Sequence, residues 1–464
     1  MGQTICSKIR GVWIMTAHRK KAGCIYPTKK YPHFDKIIRF SEVESYVSNT
    51  KMVEKHSFFP LVHYIKVAHR YKPEYVDENE TDLHKQHIKN KPRDIMYAAH
   101  VDAYIYRYYA DQLNAAYDRM AGKRHIDAVA IAYRDNKRKL SNIQFAADVF
   151  TFIAAHPSCY IRVGDFKDFF GSLNHRYLKK KVKQVLQTKS LTQDWYKVVR
   201  SVTQYTYIDK KVVAPYYDKR SKCYFKNIKN YRQFRKNHPD KFVHNEKECG
   251  IPQGTALSGV LANVYMVDID EKIQQLVQSH NGLYRRYSDD TIIVIPTSGN
   301  DDVDNNFINY LNDRIEEWIG EAKLSEQMDK TREFQYREHA LYDKKSDKQC
   351  VMDYLGFNFD GEIVKVRQKC IYKFERKANF AITHAAAVKG ACQFSDLPFR
   401  PSILRYYFPK GHRPNSQKPQ ASFLTYMDRV GKEYKQKSIP CEPEKQIHHL
   451  QHKLKRMYNN SITK

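Results

Sequence analysis

A pair of adjacent aspartates stands between two segments with strand character. Tyr287-Ser288-Asp289-Asp290 is preceded by GLYRRY and followed by TIIVIP, a β-branched run that ends at Pro296. Two strands joined through this segment form a hairpin, which puts the adjacent carboxylates at a tight turn. Like charges are unfavourable there unless a divalent cation neutralises them. Because an aspartate pair alone is more often a plain polar turn, a second carboxylate site is needed to support this hypothesis.

Asp165 is that second carboxylate. It closes the apolar strand in VGDFKDFF, and the following SLNHRYLKKKVKQVL predicts a helix. A carboxylate at the end of a buried strand is costly unless it is paired or metal-bound. Carboxylates from separate strands can hold two ions about 3.5–4 Å apart, which activate a hydroxyl nucleophile and neutralise a triphosphate during phosphoryl transfer. Oxygen ligands with no Cys or His nearby in the sequence indicate Mg²⁺.

A glycine-containing turn lies between the two carboxylate sites. The segment Gly250–Ser258 (GIPQGTALS) leads into a helix whose predicted apolar face contains Leu257, Val260, Leu261, Val264 and Tyr265. The glycines allow the backbone to approach a ligand closely, and Gln253 offers both a donor and an acceptor. Because the turn lies in the sequence between the two carboxylate sites, it is a candidate part of the same functional site.

The remaining elements must position these residues. From about Tyr31 to His156 the pattern is mainly helical, and residues 97–117 predict one long helix. Strand-like alternation begins at Cys159, and helical character returns from Ile371 onward. Residues 219–236 carry eight basic side chains, four aromatic rings and no acidic side chain. That polarity predicts a segment outside the core, with a solvated loop and a direct nucleic-acid contact as open alternatives.

The charge of the chain predicts a polyanionic partner. Eighty Lys and Arg face 51 Asp and Glu, so the 464 residues carry a net charge of +29. Neutralising phosphates releases condensed counterions, which favours nucleic acid over an anionic membrane surface. The nine cysteines occur singly, without CxxC spacing, which predicts free thiols in a reducing cytosol. No apolar run is long enough to span a bilayer, and a cytoplasmic location without a membrane partner is expected.

Five segments taken together resemble a known family. In chain order, DFKDFF, GIPQGTALSGVLANVYM, YSDD, AKLSEQMDKT and YLGFNFDG resemble motifs A to E of reverse transcriptases, over roughly residues 90–375. KPRDIMYAAHVDAYIYRYY and AIAYRDNKRKLSNIQFAADVF resemble the fingers motifs of the bacterial enzymes. The best resemblance is to the unknown-group, defence-associated reverse transcriptases, with retron and abortive-infection enzymes as close relatives.

The resemblance implies the catalytic and metal-binding residues. Asp165 matches the motif A metal ligand, with the backbone carbonyl of Phe166 as a further ligand, and Asp289 and Asp290 match the motif C pair. Two Mg²⁺ ions are implied, for which Mn²⁺ can substitute. Lys330 falls in motif D, where a lysine would protonate the leaving pyrophosphate.

The resemblance also implies contacts to the nucleotide and the primer. Phe170 falls on the steric gate, where a bulky ring collides with a ribose 2′-hydroxyl, and Gln253 matches the residue that packs against the nascent pair. Arg93 and Arg134 are candidates for holding the triphosphate, with a surface or structural arginine as the alternative. The primer grip is matched by Leu355, Gly356 and Phe357.

The implied architecture is an α+β fold, a right-hand polymerase with helical fingers, a palm carrying a small antiparallel sheet, and a helical thumb. The predicted boundaries are a basic N-terminal arm at 1–30, fingers at 31–158, a palm at 159–368 and a basic helical thumb at 369–464. A basic and aromatic insertion interrupts the palm at 208–248.

The predicted function is RNA-directed DNA synthesis from dNTPs on a dedicated structured noncoding RNA in bacterial defence against phage. A polymerase that extends DNA without a template, or primes from a protein hydroxyl, is the first alternative. A non-catalytic, maturase-like RNA-binding protein is the second, disfavoured because a pure binder need not keep uncompensated carboxylates. A membrane-surface protein is weaker still, since the basic residues are spread along the chain. A homo-oligomer stays open.

Overall fold

The computed structural model describes residues 26–71, 88–399, 403, 406 and 422–463. Its helices are α1 (Phe40–Val47), α2 (Thr50–Lys55), α3 (His100–Lys123), α4 (Asn142–Ala154), α5 (Phe169–Ser172), α6 (His175–Val185), α7 (Gln193–Thr203), α8 (Lys210–Val213), α9 (Ile228–Asn237), α10 (Ala256–Tyr265), α11 (Val267–Gln278), α12 (Asp301–Glu321), α13 (Gln368–Cys392), α14 (Phe423–Gln436) and α15 (Pro443–Thr463).

Its strands are β1 (Leu61–Ile65), β2 (Ala68–Tyr71), β3 (Ile88–Lys91), β4 (Asp94–Tyr97), β5 (Ser158–Asp165), β6 (Thr206–Asp209), β7 (Val243–His244), β8 (Leu283–Tyr287), β9 (Asp290–Pro296), β10 (Arg332–Arg337), β11 (Ala340–Asp343), β12 (Met352–Tyr354), β13 (Phe357–Phe359) and β14 (Val364–Val366). The mixture of helices with small, largely antiparallel sheets confirms the predicted α+β class.

The chain divides into two compact units. The first comprises the described parts of Met1–Leu113 and Gln187–Ser258, and the second comprises those of Asn114–Leu186 and Gly259–Lys464. The boundaries predicted for arm, fingers, palm and thumb remain predictions. Residues 1–25 of the predicted arm lie outside the described residues, whereas Tyr26 is buried and its hydroxyl donates to Asp111.

The first unit contains a four-stranded sheet in the order β4-β1-β6-β7. β1 pairs antiparallel with β4 and parallel with β6, and β6 pairs antiparallel with β7. β1 and β4 lie inside the segment from about Tyr31 to His156, for which the sequence predicted mainly helix. Their backbone pairing joins residues far apart in the chain, so tertiary context decides their conformation.

The prediction that residues 219–236 lie outside the core was wrong for their aromatic rings. Tyr224, Phe225, Tyr231 and Phe234 are 2–7 % exposed and belong to one hydrophobic cluster of the first unit. Tyr231 stacks on Phe34 with ring centroids 4.7 Å apart. The burial is possible because the rings of α9 recur at a spacing of three residues, which puts them on one helix face.

The second unit is built around a five-stranded antiparallel sheet in the order β11-β10-β5-β9-β8. The predicted strand that begins near Cys159 is β5, at the centre of this sheet. The alternating pattern of β5 and the apolar run of β9 bury one row of side chains against α4, including Cys159, Ile161, Ile292 and Val294.

A helical layer completes the core of the second unit. The sheet β12-β13-β14, helix α4 and helices α13 to α15 share one hydrophobic cluster with the central sheet. The predicted helix from Ile371 onward corresponds to α13, in which Phe374, Ala378 and Ala385 are buried. The helix ends at Cys392, and Gln393 adopts the left-handed conformation at its C-cap.

The described residues bear on two expectations from the sequence, which concern membrane spans and the state of the cysteines. Among them, no helix is long and apolar enough to cross a membrane. The cysteines at positions 159, 223, 249, 350, 370, 392 and 441 are all free thiols.

Candidate active site

The aspartate pair lies at a tight β-hairpin turn, as the sequence predicted. β8 and β9 pair antiparallel up to Tyr287 and Asp290, which leaves Ser288 and Asp289 as the two turn residues. Ser288 has φ = 63°, the left-handed conformation that two-residue hairpin turns demand. Adopting it with a side chain present is unfavourable, so neighbouring contacts must hold this turn.

Asp165 and Asp290 face each other across the central sheet. In the register of β5 with β9 they are Cα partners, at the end of both strands. Just beyond the pair, the Phe166 amide donates to the Asp289 carbonyl at 3.3 Å. The fold therefore brings the two predicted carboxylate sites to one edge of the sheet.

The electrostatics of this edge concentrate negative charge. Burial, together with repulsion from Asp289 and Asp165, raises the pKa of Asp290 to about 6, while the cations of Arg367 and Lys330 act in the opposite direction. A carboxylate held against two others is under electrostatic stress that a bound cation would relieve.

Lys330 already supplies one such cation. Its ammonium donates to Asp165 Oδ2 at 2.7 Å and also hydrogen-bonds the Gln327 side-chain oxygen. The Gln327 amide in turn donates to the Asp165 carbonyl at 2.7 Å. The loop before β10 is thus fastened to Asp165 through both backbone and side chain.

A buried ion pair braces β5 behind its terminal carboxylate. Arg162 binds Glu326 with two guanidinium nitrogens, and both side chains are almost fully buried. Gly164 lies against this pair, where an added Cβ would stand 2.7 Å from Thr291 Oγ1 and 3.1 Å from Glu326 Oε1. A side chain at position 164 would therefore push apart the strands that carry Asp165 and Asp290.

A second buried ion pair supports the hairpin turn. Arg286 and Asp270 are both fully buried, with contacts of 2.8 Å and 2.7 Å between guanidinium nitrogens and the two carboxylate oxygens. The same guanidinium donates to the Ser288 carbonyl at 3.0 Å and to Asn263 Oδ1 at 3.3 Å. Arg286 is therefore a positioning residue for the turn, and the sequence analysis missed it.

The donor set is suited to a divalent cation. With the side chains as they stand, the described residues contain no group of three or more His, Cys, Asp and Glu placed to hold a metal ion, and the Asp165 carboxylate binds Lys330 instead. Asp165, Asp289 and Asp290 nevertheless offer hard oxygen ligands at one sheet edge, and their mutual repulsion is what a cation would offset. These three carboxylates are the residues that would hold it.

The aromatic residues after Asp165 form a short stack. Phe169 is buried and stacks on Phe166 with ring centroids 5.2 Å apart, while Phe170 meets Phe169 edge-on at 5.7 Å and is half-buried. Asp168 has φ = 42°, and its carboxylate lies where a Cβ on Gly171 would stand. The Phe170 ring is therefore partly exposed to solvent while it packs against Phe169.

The predicted primer grip is the hairpin turn between β12 and β13. Leu355 and Gly356 have φ of 45° and 96°, and Asn142 donates to the Leu355 carbonyl at 3.0 Å. Phe357 is fully buried and packs near Tyr434 with ring centroids 5.4 Å apart. Leu355 and Gly356 are half-buried at this turn, whereas the Phe357 ring lies in the core.

Arg367 is a charged neighbour of the site that sequence reasoning missed. Its amide donates to the Gly356 carbonyl at 3.0 Å, and its guanidinium forms an ion pair with Asp353. Its charge also lowers the pKa of Asp290. No motif singled it out, because only the fold brings the end of β14 towards the carboxylates.

Arg134 does not fit the predicted contact with a triphosphate. Its side chain is fully buried, with ion pairs of 2.5 Å to Asp118 and 2.6 Å to Asp127, and it donates to the Ala130 carbonyl at 3.0 Å. The guanidinium also lies 4.9 Å from the centre of the Tyr117 ring. The structure therefore favours the alternative that the sequence left open, a structural arginine, because these donors are already engaged.

Gln253 and Arg93 belong to the first unit. The Gln253 carbonyl accepts from the Met96 amide at 2.9 Å, and Gly254 has φ = 128° with its Cβ position 2.3 Å from the Met96 carbonyl oxygen. Only glycine fits at 254. Arg93 is exposed, and its backbone exchanges two hydrogen bonds with Lys66. The nucleotide-binding roles of both residues remain predictions.

Comparison with solved structures finds telomerases of low similarity to this chain. Two telomerase structures are similar to this chain, one of apo telomerase from Candida tropicalis truncated from the C-terminal domain (13 % identity, 70 % of this chain, 59 % of that chain, TM-score 0.40). The other is telomerase from Candida albicans in complex with the TWJ fragment of telomeric RNA (11 % identity, 86 % of this chain, 58 % of that chain, TM-score 0.39). The chain thus spans less than two thirds of their length. No curated protein sequence matches it.

The sequence profile described as reverse transcriptase (RNA-dependent DNA polymerase) matches residues 120–359, which is more than half of the chain. This range includes both carboxylate sites and the hairpin that joins β12 to β13. The chain belongs to the reverse transcriptase (RNA-dependent DNA polymerase) family.

Proposed function

We propose that this protein is an RNA-directed DNA polymerase that joins dNTPs to a growing DNA strand. The observation that carries the proposal is the register of β5 with β9, which sets Asp165 opposite Asp290 with Asp289 in the adjoining turn. Family membership and three carboxylates at one sheet edge together support nucleotidyl transfer over simple RNA binding.

The protein's own residues divide the chemical work. Asp165, Asp289, Asp290 and the carbonyl of Phe166 would hold two Mg²⁺ ions. When bound, such ions ready a 3′-hydroxyl for attack and neutralise the triphosphate. The Lys330 ammonium, held beside Asp165, would donate a proton to an oxygen of the leaving pyrophosphate. The Phe170 ring would exclude a 2′-hydroxyl, and the turn at Leu355 and Gly356 would support the primer strand.

The biological setting is proposed from the motif resemblance. We place the enzyme among the bacterial defence-associated reverse transcriptases, copying a dedicated structured noncoding RNA in the cytoplasm. The net charge of +29 supports a nucleic-acid partner, and the free thiols among the described cysteines are consistent with a reducing compartment. Synthesis without a template, or from a protein hydroxyl, is the outcome that the test below must separate.

The test is a polymerase assay on the purified full chain. The protein is given a primed RNA, Mg²⁺ and either dNTPs or rNTPs, and any product is sequenced. The Asp289→Asn, Asp290→Asn variant is the inactive comparison. The Asp301→Asn, Asp302→Asn variant is its matched control, because it removes the same charge from two exposed residues of α12.

We expect complementary DNA from dNTPs with the wild type and the control, and none with the Asp289, Asp290 variant. Product that matches no RNA, or that stays attached to protein after denaturation, would replace templated synthesis by one of the alternatives. Tight RNA binding without synthesis under any nucleotide condition would overturn the polymerase proposal.

A further inference from the structure

Helix α9 has one aromatic face and one basic face. Tyr231 and Phe234 are buried in the cluster that contains Phe34 and Phe242. On the other side, Lys229, Arg232 and Lys236 are exposed. Their spacing of three and four residues places these three cations along one line of the helix surface.

Two further exposed cations precede α9 in the chain. Lys222 and Lys226 are exposed on the segment that leads into the helix. We call Lys222, Lys226, Lys229, Arg232 and Lys236 the α9 basic face. Segment 219–236 contains no acidic side chain that could offset their charge.

The nearest acidic residues in sequence are engaged locally. Asp218 accepts hydrogen bonds from the Arg220 and Ser221 amides at 3.3 Å and 3.0 Å, which closes the turn before Lys222. Asp240 forms an ion pair with its neighbour Lys241 at 2.9 Å. Both carboxylates therefore have other partners than the α9 basic face.

The α9 basic face contrasts with other basic surfaces of the protein. In the part of the chain that the structure describes, none of its five cations forms an ion pair with a carboxylate, whereas Lys432 and Lys445 each pair within their own helix region. Like charges three and four residues apart destabilise a helix. Maintaining them on a folded, aromatic-backed helix favours a polyanionic ligand that offsets the repulsion.

We propose that the α9 basic face binds the phosphate backbone of double-stranded, structured RNA. The inference rests on the proposed function for its choice of RNA. Duplex DNA carries a similar paired phosphate backbone, so the experiment compares an RNA hairpin with a DNA hairpin of the same sequence. Since the four rings of segment 219–236 are buried, this segment offers cations rather than a platform for stacking unpaired bases. Backbone contacts of this kind position a duplex without reading its sequence.

The test measures binding of a fluorescent RNA hairpin by the full chain, with Asp289→Asn and Asp290→Asn present throughout so that synthesis plays no part. The test variant adds Lys229→Gln, Arg232→Gln and Lys236→Gln. The matched control adds Lys51→Gln, Lys55→Gln and Lys189→Gln, which remove the same charge from exposed residues of the same unit. A second test variant, Lys222→Gln with Lys226→Gln, leaves α9 itself unchanged.

We expect the triple α9 variant to weaken hairpin binding about 10- to 30-fold near physiological salt, and the dependence of log K on log salt to become shallower by about two. The control triple should change affinity by less than about threefold, through long-range charge alone. An equal loss on a DNA hairpin of the same sequence supports backbone recognition.

Three results would overturn the proposal: equal affinities and salt slopes for the test and control triples, a loss confined to duplex DNA, or a larger loss on unstructured single-stranded RNA than on the hairpin. Failure here and failure of the proposed function are distinguishable. If the wild type synthesises DNA but the α9 substitutions leave hairpin binding unchanged, only this inference is overturned. If the α9 substitutions weaken RNA binding but the wild type shows no synthesis, only the proposed function is overturned.

Discussion

Asp165 and Asp290 are direct cross-strand partners at the end of β5 and β9, and Lys330 donates to the Asp165 carboxylate at 2.7 Å. Two carboxylates that occupy paired positions beside a third, Asp289, repel one another. The site therefore carries unfavourable electrostatic energy, and the buried ion pairs Arg162–Glu326 and Arg286–Asp270 hold β5 and the hairpin turn that present the carboxylates.

Replacing Asp290 by asparagine should stabilise the protein while abolishing synthesis. Burial and two neighbouring carboxylates raise the pKa of Asp290 to about 6, so its ionised form is unfavourable at neutral pH without a divalent cation. We expect the free energy of unfolding in EDTA to rise by about 1–3 kcal/mol. Urea unfolding of Asp290→Asn, beside the exposed control Asp302→Asn, measures it. A lower stability of Asp290→Asn would contradict the repulsion described above.

Replacing Lys330 by glutamine should slow nucleotide addition without weakening nucleotide binding. If the ammonium protonates pyrophosphate, kcat should fall about 10²- to 10⁴-fold with little change in KM for dNTP. Single-nucleotide addition kinetics measure both constants. Lys323→Gln, an exposed lysine before the same loop, is the matched control. A raised KM with unchanged kcat would assign Lys330 to ground-state binding instead.

Replacing Phe170 by alanine should admit ribonucleotides. The ring is half-buried against Phe169, so its removal opens space without deleting a core residue. We expect the preference for dCTP over CTP, expressed as a ratio of kcat/KM, to fall about 10- to 100-fold. Phe170→Tyr keeps the bulk and should keep the preference. An unchanged ratio in Phe170→Ala would place the steric gate elsewhere.

Local patterns predicted the elements that carry the chemistry. Short-range alternation and turn residues indicate three elements that the structure contains. They are the hairpin around Asp289, the strand that ends at Asp165 and the helix that follows Gly254. Their register could not be predicted, because pairing Asp165 with Asp290 is decided by long-range packing of the central sheet.

What the sequence left open or missed depends on tertiary context. Residue type alone could not decide between a triphosphate contact and a structural role for Arg134, which Asp118 and Asp127 enclose in the fold. For segment 219–236 the prediction weighed the number of charges and not the positions of the aromatic rings. The three-residue spacing of Tyr231 and Phe234 could have indicated a buried helix face. Arg367 had no such signal, since only folding brings it near Asp290.

Replacing one member of the buried Arg286–Asp270 pair should lower the free energy of unfolding more than replacing both members with apolar residues. Asp270→Asn leaves the fully buried Arg286 guanidinium without its counter-charge, and we expect a loss of about 3–5 kcal/mol in the free energy of unfolding. The double variant Arg286→Met, Asp270→Leu should recover more than half of that loss. Denaturant unfolding of the wild type, Asp270→Asn and the double variant measures both changes. A double variant no more stable than Asp270→Asn would contradict this expectation.

The recovered double variant should still be a poor polymerase. Arg286 also donates to the Ser288 carbonyl, so methionine removes a contact that holds the left-handed turn residue beside Asp289. We expect stability and activity to separate in this variant. Full activity would show that the turn keeps its geometry without Arg286.

Acid should destabilise the first unit through His33. Burial lowers the pKa of His33 to about 4 from its ordinary 6.5, and its Nδ1 accepts a hydrogen bond from the Phe34 amide at 2.8 Å. The unfolded chain binds a proton below pH 6.5 whereas the folded one stays neutral down to about 4. Stability should therefore fall by about 3 kcal/mol as the pH drops through that window. His33→Gln removes the titrating group and should flatten this part of the curve, whatever it costs at neutral pH. His244→Gln, an exposed histidine of the same unit, should leave the slope in place. Equal slopes in wild type and His33→Gln, measured by urea unfolding across the window, would assign the acid sensitivity to other groups.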